Sequence, residues 1–284
     1  MRNLFPIIGS CLLFAGGITP TLANSLPEIT NKHAPYGQPT CKPKNLKKRI
    51  AYTICFDSKK RIPKWVMYHV TSEYLKTPKR KSRFKRFRDD PHFNNEAKDK
   101  EYTNSGYARG HLVPFKVSGG DRDGDKSVAS LGNNSDPDDE KTVFEVNYMS
   151  NIAPQCHKGF NGGGGSWWKV ERWIQSAMVK KKDEEAYVIA GTIFHDGKVK
   201  KIGPKKDIYV PHAFYKIVVF KAKDNKPRRV FAFLFPHDFP CKKRKVKIEN
   251  FLVSVDIIEA LTGLDFFSEA NFDEAKNTTT NWGK

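Results

Sequence analysis

Cysteine is scarce in this chain of 284 residues, five in all. No two of them form a CxxC pair or stand in a ladder with histidines, so a structural zinc site has no support. Acids are also in deficit: 31 Asp and Glu face 50 Lys and Arg, a formal net charge of +19. Such a charge draws polyanions over roughly 8–10 Å at physiological salt and speeds their encounter. It carries no chemistry by itself, because nucleic acid, anionic lipid, heparin-like sugars and cell walls all respond to it. After the first 18 residues no apolar run approaches the roughly 20 residues that a spanning helix needs, which argues against stable membrane insertion. There is neither an internal repeat nor a linker between two halves, and the length suits one large domain.

Residues Met1 to Ala23 read as a secretory signal, with Arg2 as the positive start, Ile7 to Ile18 as a short apolar core and Thr21-Leu22-Ala23 as a cleavage site. The mature protein is therefore expected to be soluble, and secreted or periplasmic. Cys11 falls inside the signal. Cys41, Cys55, Cys156 and Cys241 remain, and in an exported protein they read as two disulfides. Three pairings exist; Cys41–Cys55 with Cys156–Cys241 is preferred because the first two bracket a short segment, and the other two stay open.

Residues 24–48 are rich in Pro, Lys and Asn and read as an extended arm, followed by one domain over 49–275 and a polar tail over 276–284. RIAYTICFD and PKWVMYHVTSEYL alternate apolar and polar residues like paired strands. KTPKRKSRFKRFRDDPHF is strongly basic and reads as a loop across the face of a site. Lys116 to Thr142 reads as a polar insertion; its Asp121, Asp123 and Asp125 invite calcium, but the distal Glu of a calcium loop is missing, so a solvated loop is the reading. VFEVNYMSNIAP alternates like a strand, and SWWKVERWIQSAMVKK has helical spacing. AYVIAGTIF, DIYVPHAFYKIVVFKA and RRVFAFLFP add strands to a mostly antiparallel sheet. A last helix is expected over about Ile248 to Leu261, ending near Gly263. KKRKVK at Lys242 to Lys247 reads as a basic surface patch.

Three segments carry the functional signal: YARGHLVPF from Tyr107, NYMSNIAPQ around Asn151, and GFNGGGGSWWKVE with Asn161 and Glu171. In order and spacing they resemble the DNA/RNA non-specific endonucleases, and the similarity runs from about Ile50 to about Phe267. The resemblance implies an α+β fold, a mostly antiparallel central sheet flanked by helices with a ββα-metal core. It further implies a metal-dependent enzyme cutting DNA and RNA to 5′-phosphate and 3′-hydroxyl ends. By the same resemblance His111 is the general base, and Asn161 is the one direct protein ligand of a Mg²⁺-type ion, with Mn²⁺ as the alternative. Glu171 holds the waters of that ion, Asn151 bonds near the base or phosphate, and Arg109 supports local geometry or backbone binding. Arg83 falls where relatives carry a phosphate-stabilising arginine, although Arg80, Arg86 and Arg88 stand close enough to take the place. Trp167, Trp168 and Trp173 read as core packing.

Two positions depart from the family pattern. Ala108 stands where an aspartate is usual, a supporting residue that fixes strand or arginine geometry, and Gln175 stands where relatives often have an arginine. The basic surroundings of His111 should disfavour its charged form and keep it competent near neutral pH. On this reading the rate should change between pH 5 and 9. The competing function is a basic binding protein on the same fold, coating nucleic acid or an anionic envelope without turnover.

Overall fold

The computed structural model describes residues 32–221, 229–237, 241–243 and 247–268. The expected export signal, the first part of the arm, the polar tail and residues 244–246 of the basic cluster lie outside the described residues.

In chain order the strands are β1 (Leu46–Lys48), β2 (Thr53–Asp57), β3 (Ile62–Val70), β4 (Ala108–His111), β5 (Ile152–Gln155), β6 (Ala186–Ile193), β7 (Lys201–Ile202), β8 (Ile208–Tyr209), β9 (Ala213–Phe220), β10 (Arg229–Pro236) and β11 (Leu252–Val253). The α-helices are α1 (Pro137–Val146), α2 (Ser166–Arg172) and α3 (Val255–Thr262), with α2 running on as a π-helix over Trp173–Lys180. Seven strands form one antiparallel sheet in the order β1-β2-β3-β6-β9-β10-β11. The antiparallel pair β4–β5 stands apart from it. With α2 it makes a ββα unit.

The large sheet is buried on both faces, and strand parity sorts the core. On β9, Phe214, Val218 and Phe220 point into the cluster that contains the ββα unit, while Tyr215, Ile217 and Val219 join Val255 and Ile258 of α3 on the opposite face. Successive side chains of a strand alternate between faces, so Lys216 falls on the side of the ββα unit. It is 0% exposed there.

Both preferred disulfides form: Cys41–Cys55 with Cα atoms 5.9 Å apart, and Cys156–Cys241 at 5.1 Å. The first ties the end of the arm to β2. Regular structure accordingly begins before the expected Arg49: Leu46 pairs with Cys55 in the β1–β2 register, and His33 and Ala34 are buried.

Two elements differ from the sequence reading. VFEV belongs to α1, not to a strand, and only Ile152–Gln155 continues as β5. The polar insertion hides the helix start: Asp136 accepts from the amides of Asp138 and Asp139, Pro137 takes the first helical position, and acids fill the first turn. Those are favourable N-terminal features in residues that also suit a loop. The last helix begins at Val255, after Ser254 caps the Ile257 amide; Ile248–Phe251 is a 3-10 turn, and Leu252–Val253 pairs with β10. It ends at Gly263, with φ at 63°, as expected.

Candidate active site

One cleft of about 520 Å³ opens beside the ββα unit, lined by Ala108, Arg109 and His111 from β4, Gln155 from β5, Asn161 from the following turn, and Glu171 from α2. Its cations are Arg80, Arg109, Lys116, Arg172 and Lys180, against Glu171 as the carboxylate in the lining. Bringing β4 beside β5 requires a residue without a side chain at Gly110, since a Cβ there would stand 2.1 Å from Gln155 Oε1. That close approach accounts for the glycine between Arg109 and His111.

His111 lies with its Nε2 3.2 Å from Asn147 Oδ1. The Asn147 amide donates through Nδ2 to the carbonyls of Phe84 and Val143, both at 3.1 Å, so its oxygen is the atom turned toward the imidazole. Nε2 must therefore carry the hydrogen, which leaves Nδ1 with the lone pair. Burial, and secondarily the Arg80 charge, lower the His111 pKa to about 3. That shift favours the neutral imidazole that proton abstraction requires. Asn147 was not a sequence candidate, because VFEVNYMSNIAP reads as a strand and the helix that ends beside Asn147 appears only in the structure.

Asn161 donates through Nδ2 to Gln155 Oε1 at 3.0 Å. Its Oδ1 is buried without a hydrogen-bond partner. A buried carbonyl left unbonded is costly, about 1–3 kcal/mol, and an oxygen donor of this kind suits a hard divalent cation. The residues present fit such an ion. Glu171 reaches the cleft from α2 with Oε1 3.1 Å from the ammonium of the buried Lys216. Burial raises the Glu171 pKa, and the Lys216 charge opposes that shift.

The other candidates fall out differently. Asn151 is fully buried, and its amide is consumed by Val113 N, Val113 O and Val146 O, so it braces the chain behind His111 and does not reach a base or phosphate. Arg83 is turned away from the cleft, forked onto Glu140 at 2.9 Å through both Nε and Nη2. Its neighbour Arg80 lines the cleft, sandwiched between the rings of Phe87 at 5.4 Å and Phe115 at 5.2 Å. Two residues lie between them, and only the packing of the basic loop distinguishes them. Arg109 lines the cleft while its guanidinium is ion-paired with Asp99 and bonded to the Asp99 carbonyl at 2.6 Å. A carboxylate from Asp99, not from position 108, thus holds Arg109.

Trp167 and Trp173 are buried as expected, but Trp168 is 36% exposed and lines the cleft. Asp121, Asp123 and Asp125 bring carboxylate oxygens within 4.8 Å of one another outside the cleft lining. These groups already serve their own loop, with both Asp121 oxygens taking backbone amides, from Gly124 and Lys126.

The molecule has close parallels in sequence and fold. It is 25% identical over 272 residues to a mitochondrial nuclease EXOG of Xenopus laevis, covering 90% of this chain and 67% of that one. It is 29% identical to nuclease C1 of Cunninghamella echinulata, covering 78% and 82%, and 28% identical to bovine mitochondrial endonuclease G, covering 82% and 72%. A solved chain from a complex of EndoG with its inhibitor EndoGI superposes with a TM-score of 0.66 at 24% identity, over 89% of this chain and 96% of that chain. Residues 29–273 match the DNA/RNA non-specific endonucleases, and the chain belongs to that family of ββα-metal enzymes.

Proposed function

We propose that this protein is an exported, metal-dependent endonuclease that hydrolyses both DNA and RNA without regard to sugar, leaving 5′-phosphate and 3′-hydroxyl ends. The observation that carries the reading is the cleft itself, where the neutral His111 imidazole and the unpartnered Asn161 oxygen share one cation-rimmed space. Phosphodiester hydrolysis demands on the order of 20 kcal/mol of barrier reduction. A general base typically contributes only about 10² to 10⁴-fold, so several groups must act together.

His111 Nδ1 takes the proton of the attacking water while Nε2 stays bonded to Asn147. That bond tightens as the ring becomes charged, because the amide oxygen faces the Nε2 hydrogen. Arg80 offers paired donors to the phosphate oxygens, and its place between two rings fixes the guanidinium plane. Asn161 Oδ1 would hold a Mg²⁺-type ion, Mn²⁺ being the alternative, with the Glu171 carboxylate beside it. When bound, the ion supplies Lewis-acid stabilisation of charge on the phosphate and the departing oxygen. Contacts of this kind read the backbone, which makes sequence preference weak.

Export is supported by the composition of residues 1–23 and by two disulfides, which persist in oxidising compartments. Cell fractionation and N-terminal sequencing of the mature protein test it. Activity is tested by incubating purified protein with plasmid and with RNA, in Mg²⁺ or in EDTA, beside His111→Ala. The reading requires metal-dependent cutting of both substrates that the substitution abolishes while binding persists. Ala108 favours the rival reading of a binder without turnover, and a parent protein that never cuts would establish it.

A further inference from the structure

The helix that carries Glu171 presents a second stripe to the same cleft, and the reaction above does not use it. Trp168, Arg172, Ser176 and Lys180 recur four residues apart and all line the cleft. The wider π-helical turn over Trp173–Lys180 keeps that spacing on one face. Trp168 is the exception among the described tryptophans: Trp65, Trp167 and Trp173 are 0%, 1% and 7% exposed, whereas Trp168 is 36% exposed. The Arg172 guanidinium lies 5.5 Å over its ring. Neither Arg172 nor Lys180 pairs with a carboxylate among the described residues.

Resting on the nuclease reading, we propose that Trp168 is a stacking platform for an unpaired nucleobase of the bound strand, with Arg172 and Lys180 meeting its phosphates. The enzyme on this account binds single strands, and locally opened duplex, better than intact duplex. A base inside a duplex already has both faces covered by its neighbours, so a rigid indole at the rim of a groove gains its contact only from a base that has left the stack. The indole with a cation on its ring matches a ligand that alternates aromatic rings with negative charge. An inhibitory protein docking on the same indole is the competing occupant. The cleft lining favours the nucleic acid, since five cations surround one carboxylate there.

The test measures binding in the His111→Ala background, where turnover does not intrude, by fluorescence anisotropy with three labelled probes. These are a DNA single strand, the same strand with its central bases removed to leave abasic sites, and the corresponding duplex. Trp168→Ala should weaken the base-bearing strand by about 5- to 150-fold and leave the abasic strand and duplex within about twofold. Trp168→Phe should retain most of the affinity. An equal loss on all three probes, or no loss on any, overturns the proposal; in the second case the indole is free for a protein partner. Cutting of plasmid and RNA by the parent is scored separately. Failure there removes the nuclease reading, while failure of the abasic comparison removes only the stacking platform.

Discussion

The amide of Asn147 stands 3.2 Å from His111 Nε2 and cannot turn around without losing its bonds to Phe84 O and Val143 O. One buried side chain therefore selects the tautomer of a half-buried imidazole. Removing a group that orients a catalytic or ligating histidine typically lowers activity about 10- to 100-fold. Asn147→Ala should show a fall of that size in kcat with KM little changed, assayed well below its melting temperature so that lost packing does not enter. A fall in KM-dependent binding with kcat intact would mean that Asn147 only supports the fold.

The depressed His111 pKa makes a separate statement about stability. The folded ring titrates near pH 3, against an ordinary value of 6.5. Between those values the unfolded chain holds a proton that the folded chain does not. Stability from this group is present above pH 6.5 and is lost as pH falls toward 3. Denaturant titrations at pH 7 and pH 4.5 should show the parent losing about 2 kcal/mol more than His111→Gln over that interval. His33 and His69, also lowered by burial, to about 3 and about 4, keep their own share in both proteins, so the difference isolates His111. Equal losses would place the imidazole in water.

Much of this was legible in the chain. The strands β2, β3, β6, β9 and β10 of the large sheet announce themselves because apolar β-branched and aromatic runs are bounded by turn residues, whereas β1 and β11 fall where an arm and a helix are expected, and the His111, Asn161 and Glu171 motifs are tied to local backbone geometry. The helix α1 was hidden because Asp, Pro and Glu serve a cap and a loop equally well. What spacing could not settle was direction: whether Arg80 or Arg83 turns inward, whether Asn151 bonds substrate or main chain, whether Trp168 is buried. Each depends on partners distant in sequence, such as Glu140 for Arg83 and Val113 for Asn151.

The two arginines of the basic loop give opposite expectations. Arg80→Ala should lower kcat/KM for plasmid by roughly 10² or more, because paired charge-assisted donors to the phosphate are lost. Arg83→Ala should stay within about threefold in activity, since an exposed ion pair contributes little. Steady-state kinetics of the two variants at one salt concentration decide it. A larger loss for Arg83 would restore the family register read from sequence.

Arg109 is held by Asp99 rather than by a residue at position 108. If Asp99 carries out the work of the absent aspartate, Asp99→Asn should reduce kcat/KM several-fold. Ala108→Asp in that background should recover part of the loss, because it returns a carboxylate to the strand beside Arg109. Kinetics of the single and double variants form a double-mutant cycle, and strictly additive effects would mean that the two positions act independently.

The lone Asn161 oxygen makes a prediction about metal that does not depend on turnover. A cation that binds the folded chain and not the unfolded one stabilises it by about 2.7 kcal/mol at a hundred times its Kd, so Mg²⁺ should raise the melting temperature of the parent and EDTA should reverse it. Asn161→Ala should abolish that shift and the cleavage with it. The substitution itself should be mild in metal-free buffer: it removes one bond to Gln155 and also removes a buried carbonyl that lacks a partner. The alternative anchor is the loop of Asp121, Asp123 and Asp125, which lies outside the cleft. Should Asn161→Ala keep the full thermal shift while losing activity, the stabilising ion sits elsewhere, and Asp121→Asn and Asp123→Asn would then be the substitutions that remove it.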